Sequence, residues 1–171
     1  MSTTRLVACV AATSIALLTT AGAAVGQDPA PVHIGLEAPL TGSLADLGAG
    51  MLHGAQLAAD GLNAESGILG RQVELVPIDD AGDPATGVAA ATAAIAAGLD
   101  GIVGPYNSSV GLQTLPLYLD AGLVPMRLTS DDATSGMGYT LQPTTRQIAP
   151  VAARALTDWA EARTVAILVD E

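Results

Sequence analysis

Short apolar runs recur along this chain, and each stops at a polar or glycine/proline-containing loop that leads into a helical pattern. They are Val32–Ala38, Arg71–Ile78, Gly101–Val103 and Leu123–Leu128. Runs this short, with helices between them, demand parallel strands covered on both faces and joined by right-handed crossovers. The sequence therefore predicts an α/β fold on a parallel doubly wound sheet. Ligands of such sheets sit beyond the carboxyl ends of the strands, where strand order reverses. The loops on that edge are Pro39–Ser43, Asp79–Asp83, Gly104–Ser109 and Thr129–Asp132, which together are rich in Ser, Thr and Asp.

A first helix is expected from Leu44 or Gly48 to Asn63, with Met51, Ala55, Ala58 and Leu62 recurring as its buried stripe. Asp83 is placed to cap a second helix, with Pro84 at its first position. That helix, to about Ala97, is almost pure Ala, Thr, Val and Ile. Aromatics make up 2% of the chain and phenylalanine is absent, so the core has to be filled by small and aliphatic side chains at short helix–sheet distances. A third helix begins near Val110 and ends at Asp120-Ala121-Gly122, with Gly122 in a capping position. Its first turn carries amide donors without partners and a partial positive charge, which favour an anion or a carbonyl. Ser108 and Ser109 either cap this helix or face a ligand. Tyr106 either lines that ligand or packs within its own loop.

Tyr139–Gln142 reads as a shorter extended piece, and beyond Pro143 the pattern restarts. An amphipathic helix is expected over Gln147–Ala162, burying Ile148, Val151, Ala155, Leu156 and Trp159, followed by an apolar strand at Thr164–Val169. At the other end, Arg5, the apolar Leu6–Leu18 and the small residues Ala21–Gly26 form a signal peptide, with cleavage after Ala23 or Gly26. Leu6-Val7-Ala8-Cys9 is similar to a lipoprotein box but lies too early for an apolar region to precede it. The single cysteine would leave with the signal, so no disulfide or thiol chemistry is expected in the mature chain. The expected organisation is a signal peptide at 1–26, a linker at 27–31, a first ligand-binding lobe at 32–143 and the start of an incomplete second lobe at 144–171. Export places the protein outside the cytoplasm.

Six arginines against 17 acidic residues give a net charge of −11, a balance that repels nucleic acid and anionic lipid. No nucleic-acid partner is expected. Asp83 reads as a cap and Asp79 and Asp80 as a solvated turn, so they do not argue for a metal site. His33 and His53 stand apart from any cysteine or histidine cluster, no nucleophile pairs with them, and the glycine and lysine spacing of a P-loop is missing. Neither an enzyme nor a cofactor is expected.

Ile34-Gly35 with Pro39-Leu40-Thr41-Gly42, Gly54-Ala55, Ile78-Asp79-Asp80 with Asp83-Pro84, Ile102-Val103-Gly104-Pro105 with Ser108-Ser109, and Val165–Asp170 follow one another in order. This succession resembles the leucine/isoleucine/valine-binding family of extracytoplasmic solute-binding proteins that serve ABC importers. The resemblance implies the type I periplasmic-binding-protein fold, with two lobes closing on a small ligand held mainly by the first. It implies that Ser108 contacts the ligand carboxylate, with Tyr106 and Asn107 in the same loop. It further implies that Thr129-Ser130-Asp131, or Ser130-Asp131-Asp132, offers backbone amides and a hydroxyl. The ligand class it implies is a small polar solute, an amino acid of branched-chain type or a related amide, and the partners are the importer's membrane subunits. A sensory ligand-binding domain of the same fold is the alternative. Three departures stand out. Arg127–Asp132 replaces a Ser-Pro-Ser-Ala-Thr-like run, Leu47 stands where an aromatic is common, and most of the second lobe has no counterpart before Glu171.

Overall fold

The computed structural model describes residues 29–166. The signal peptide and the first residues of the linker lie outside them, as do the last residues of the strand expected at Thr164–Val169. Strands β1 (Val32–Ala38), β2 (Val73–Asp79), β3 (Gly101–Val103), β4 (Pro125–Arg127) and β5 (Tyr139–Thr140) alternate with helices α1 (Ala45–Ala64), α2 (Pro84–Ala97) and α3 (Ser108–Asp120). All strand pairs are parallel, in the order β2-β1-β3-β4-β5. The chain crosses over β1 on its way from β2 to β3, so the order reverses between β1 and β3. Helix α1 packs on β1 and β2 from one side, while α2 and α3 pack together.

Small residues set the spacing, as the shortage of aromatics predicts. Helix α2 buries Gly87, Ala91 and Ala94, and the two alanines join Ile78, Ile102 and Tyr118 in the core. Asp83 caps α2 as expected, its carboxylate accepting from the Thr86 amide at 2.8 Å. The far end of α1 is tied to β2 by Asn63, which donates to the Val73 carbonyl at 2.9 Å and accepts the Val73 amide at 2.7 Å. Arg71 holds the incoming chain by donating to the carbonyls of Ala30 and Pro31, both at 2.7 Å.

The structure corrects several sequence expectations. The buried residues of α1 are Gly48 and Ala59, not the stripe Met51, Ala55, Ala58 and Leu62. Met51, Ala55, Ala58 and Leu62 instead line an open apolar cavity of about 360 Å³ against Ile34, Leu36 and Val103 of the sheet. No serine caps α3: Asn107 occupies that position, and Ser108 and Ser109 are the first helical residues. After β5, α4 (Thr145–Arg154) runs into a π-helical turn at Ala155–Trp159, so the expected single helix to Ala162 changes geometry halfway. Its apolar side chains are not buried among the described residues, and Trp159 is 79% exposed. Thr164, Val165 and Ala166 carry no strand.

Two glycines of α1 separate propensity from packing. A Cβ at Gly48 would lie 2.1 Å from the Pro39 carbonyl oxygen, whereas a Cβ at Gly54 meets nothing within 4 Å. We expect Gly54→Ala to stabilise the fold by about 0.5–1 kcal/mol through helix propensity alone. Gly48→Ala should destabilise it by about 1–3 kcal/mol, because a backbone carbonyl cannot rotate aside. Urea unfolding of the two variants, read by far-ultraviolet circular dichroism, checks the opposite signs.

Candidate functional site

The carboxyl edge of the sheet is assembled by polar side chains that reach between loops. Asp79, at the end of β2, accepts the amides of Leu40, Thr41 and Ala81 at 3.0, 3.1 and 2.9 Å, and the Thr41 hydroxyl at 2.7 Å. Burial alone would raise its carboxyl, but these hydrogen bonds outweigh it and hold the group below the usual carboxylate range. Asp79 therefore latches the loop after β1 to the loop after β2. This is a structural task that composition alone presented as a solvated turn.

Asp80 departs further from that expectation, because it is fully buried. One of its oxygens accepts the Gly82 amide at 2.7 Å and the other has no partner. Beside it Glu37 of β1, also fully buried, accepts the Thr114 hydroxyl at 3.1 Å through Oε2 and leaves Oε1 unpaired. Burial pushes the Glu37 carboxyl up to about 8; the Thr114 hydrogen bond works against this and the Asp80 charge adds to it. Burial likewise raises Asp80, against the pull of its Gly82 hydrogen bond and with help from Asp79. The Tyr118 hydroxyl closes this group beside Glu37, and burial together with the Glu37 charge raises its pKa. This knot lies below the switch point between β1 and β3. No sequence signal marked it, since Glu37 reads as one polar residue in an apolar strand.

Above the knot, Gly104 leads from β3 into the loop of Tyr106, Asn107 and Ser108. It adopts φ of +105°, and a Cβ there would sit 2.1 Å from the Glu37 carbonyl oxygen, so only glycine lets the two strands meet. Tyr106 is exposed on the rim, and Asn107 turns its Oδ1 inward, where it is buried without a partner. Ser108 is the junction. Its Oγ accepts the amides of Ser130 and Asp131 at 3.3 and 3.2 Å, so the loops after β3 and β4 meet there. A hydroxyl has two lone pairs and one hydrogen. With both lone pairs engaged by amides, the group left to Ser108 is its O–H donor, beside the free amides of the α3 N-terminus.

The three residues expected after β4 are not equivalent. Thr129 is fully buried, its hydroxyl 3.0 Å from Arg127 Nη1 and 2.8 Å from the Thr134 hydroxyl, so it does not face the rim. Ser130 contributes its amide to Ser108, while its carbonyl accepts the Thr145 amide at 2.8 Å and hydroxyl at 3.1 Å. The exposed Asp131 carboxylate accepts the Ala133 amide at 2.8 Å and so caps the single 3-10 turn at Asp132–Thr134. Asp132 pairs with Arg146 at 3.4 Å. Gln142 Nε2 also donates to the Leu128 carbonyl, so the segment leaving β5 grips this loop from behind. The structure thus brings Ser108, Ser130 and Asp131 together, leaves Tyr106 at the margin and turns Asn107 and Thr129 inward.

The apolar cavity under α1 is a different kind of space. It is walled by aliphatic side chains, including Leu75 and Leu128, and offers no groups for a zwitterion. Among the described residues no group of three or more His, Cys, Asp or Glu side chains is arranged to hold a metal ion.

Comparison with known proteins gives a consistent picture. The family described as "Periplasmic binding protein" matches residues 31–171. The Leu/Ile/Val-binding protein BraC3 of Rhizobium johnstonii is 37% identical over 147 residues, covering 83% of this chain and 40% of that protein. A leucine-, isoleucine-, valine-, threonine- and alanine-binding protein of Pseudomonas aeruginosa is 32% identical over 146 residues, covering 82% and 39%. In three dimensions the chain is similar to the branched-chain amino acid transporter substrate-binding protein LivJ of Streptococcus pneumoniae, solved with isoleucine. The TM-score is 0.69 at 26% identity, covering 75% of this chain and 38% of that one. The chain thus spans about 40% of the length of these relatives.

The buried carboxyl knot carries a pH prediction. Folding raises the Glu37 pKa from 4.5 to about 8, so the protonated acid is the form the fold favours. Its contribution to stability is whole below pH 4.5 and is lost as pH rises towards about 8. Chemical denaturation at pH 5, 6.5 and 8 should show stability falling by several kcal/mol across that interval. Glu37→Gln, which mimics the neutral acid, should flatten the trend. A parent chain that gains stability with pH over this range contradicts the assignment.

Proposed function

Because this chain belongs to the periplasmic binding protein family, we propose that it is the extracytoplasmic solute-binding component of an ABC importer. Its ligand on this reading is a small amino acid of the branched-chain class. The observation that carries the proposal is the Ser108 junction, where one hydroxyl accepts two loop amides and keeps its hydrogen for an incoming acceptor. A carboxylate placed there receives that hydrogen and the α3 amides together, in the field of a helix N-terminus. The names of the relatives support the ligand class, since they describe leucine, isoleucine and valine binding. The isoleucine complex of the streptococcal protein supports it as well. An exported location follows on this reading, with residues 1–26 as the signal peptide and the importer's membrane subunits as partners.

The site residues proposed are Ser108 as donor, with the backbone of Ser130 and Asp131 holding it and Tyr106 at the margin. Asn107 and Thr129 shape the loops from within. Isothermal calorimetry with leucine, isoleucine and valine tests the ligand class. Ser108→Ala should weaken the binding of each by about 1–3 kcal/mol, the range for losing a buried hydrogen bond to a charged group. Unchanged affinity removes Ser108 from the site, and absence of heat with all three amino acids overturns the ligand class.

A further inference from the structure

Arg127 is the last residue of β4 and only 3% exposed, yet among the described residues it makes no ion pair. Its Nη1 donates to the Thr129 carbonyl at 2.8 Å, the Thr129 hydroxyl at 3.0 Å and the Thr134 hydroxyl at 3.1 Å. All of these acceptors are neutral, and its Nε has no acceptor. A buried positive charge without a counter-ion is costly, and a guanidinium cannot escape by losing its proton. The nearest acids in sequence are committed elsewhere, Asp131 to the Ala133 amide and Asp132 to Arg146.

The acceptors that Arg127 does have are the two ends of the loop that closes over Ser108. Thr134 donates to the Asp131 carbonyl at 2.7 Å, and the Thr134 amide donates to that carbonyl at 3.0 Å. Thr129 immediately precedes the two amides that converge on Ser108. We propose that Arg127 is a positioning residue for the ligand rim: through Thr129 and Thr134 it holds the Ser130 and Asp131 amides on the Ser108 hydroxyl, and its uncompensated charge makes the rim selective for a ligand bearing a carboxylate. The inference rests on the reading of this rim as the ligand site. It adds that the discrimination between an acid and its amide is set from a buried strand residue that does not touch ligand.

The test compares the parent chain with Arg127→Met, Arg127→Lys and Thr134→Val. Two readouts are used: hydrogen exchange over residues 128–135, and calorimetry with leucine and with leucinamide. Arg127→Met should speed exchange at Ser130 and Asp131 by about tenfold or more while the β1 and β2 amides stay protected. It should also cut the leucine-to-leucinamide affinity ratio by about tenfold. Thr134→Val, which keeps the charge, should speed exchange yet leave the ratio near that of the parent. Arg127→Lys should restore most of the ratio, and it carries the decision if the methionine variant does not fold. Equal losses for leucine and leucinamide in Arg127→Met overturn the electrostatic role. Unchanged exchange over 128–135 overturns the brace. If the parent binds neither compound, the ligand reading fails on its own, and the exchange result still decides the brace.

Discussion

The candidate site depends on how closely the ends of β1 and β3 can approach each other. At the switch point the Gly104 backbone lies against the Glu37 carbonyl at a distance no side chain permits. That contact brings the loop of Ser108 beside the loop that Asp79 latches. The same logic runs through the layers behind it. Gly87 lets α2 approach Val110 and Thr114 of α3, Ala91 and Ala94 pack in the core with Ile78 and Ile102, and Gly111 lets α3 approach Thr129 and Pro105. A chain almost without aromatics gains packing density by bringing backbones together, and one added methyl group is felt where they meet.

Much of this architecture is legible in the sequence, because its causes are local or periodic. The alternation of apolar runs and helices marks a parallel sheet, and Asp83-Pro84 marks the start of α2, since a cap and a fixed φ act within one turn. The rim loops are legible for the same reason: each is the place where an apolar run must stop. The stripe on α1 fails because periodicity reports which side chains share a face but not what covers that face. Met51 and Leu62 share one with Ala55, yet they border an open cavity rather than a filled core. The apolar face of α4 fails in the same way, for Ile148, Val151 and Trp159 have the right spacing and no partner among the described residues.

The candidate site divides along a similar line. Ser108 could be singled out because a hydroxyl at a helix N-terminus on the ligand edge has chemical consequences wherever the fold occurs. What it bonds to could not, since the amides of Ser130 and Asp131 come from 22 and 23 residues away. Thr129 is legible as a hydroxyl in the right loop, but its inward turn goes with the contacts it makes to Arg127, two residues before it on the same side of the strand end. Long-range polar contacts are set by the register of β3 against β4, and nothing in the local sequence encodes that register.

Among the buried ionisable groups of this region, Glu37 and Arg127 are of opposite sign and have different ways out. Glu37 can discharge itself by holding a proton, and burial together with Asp80 drives it that way at neutral pH. Once neutral, its carboxyl gains a hydrogen to donate within the knot. Arg127 has no such exit, because a guanidinium has only donors to offer and does not give up its proton in proteins. Its neutral partners satisfy part of its hydrogen-bonding capacity but none of its charge. The described part of the chain carries many more acids than bases, yet the acids nearest Arg127 in sequence are tied to an amide and to Arg146. Glu37 is thus neutralised within the fold, whereas the Arg127 charge meets no counter-ion among the described residues.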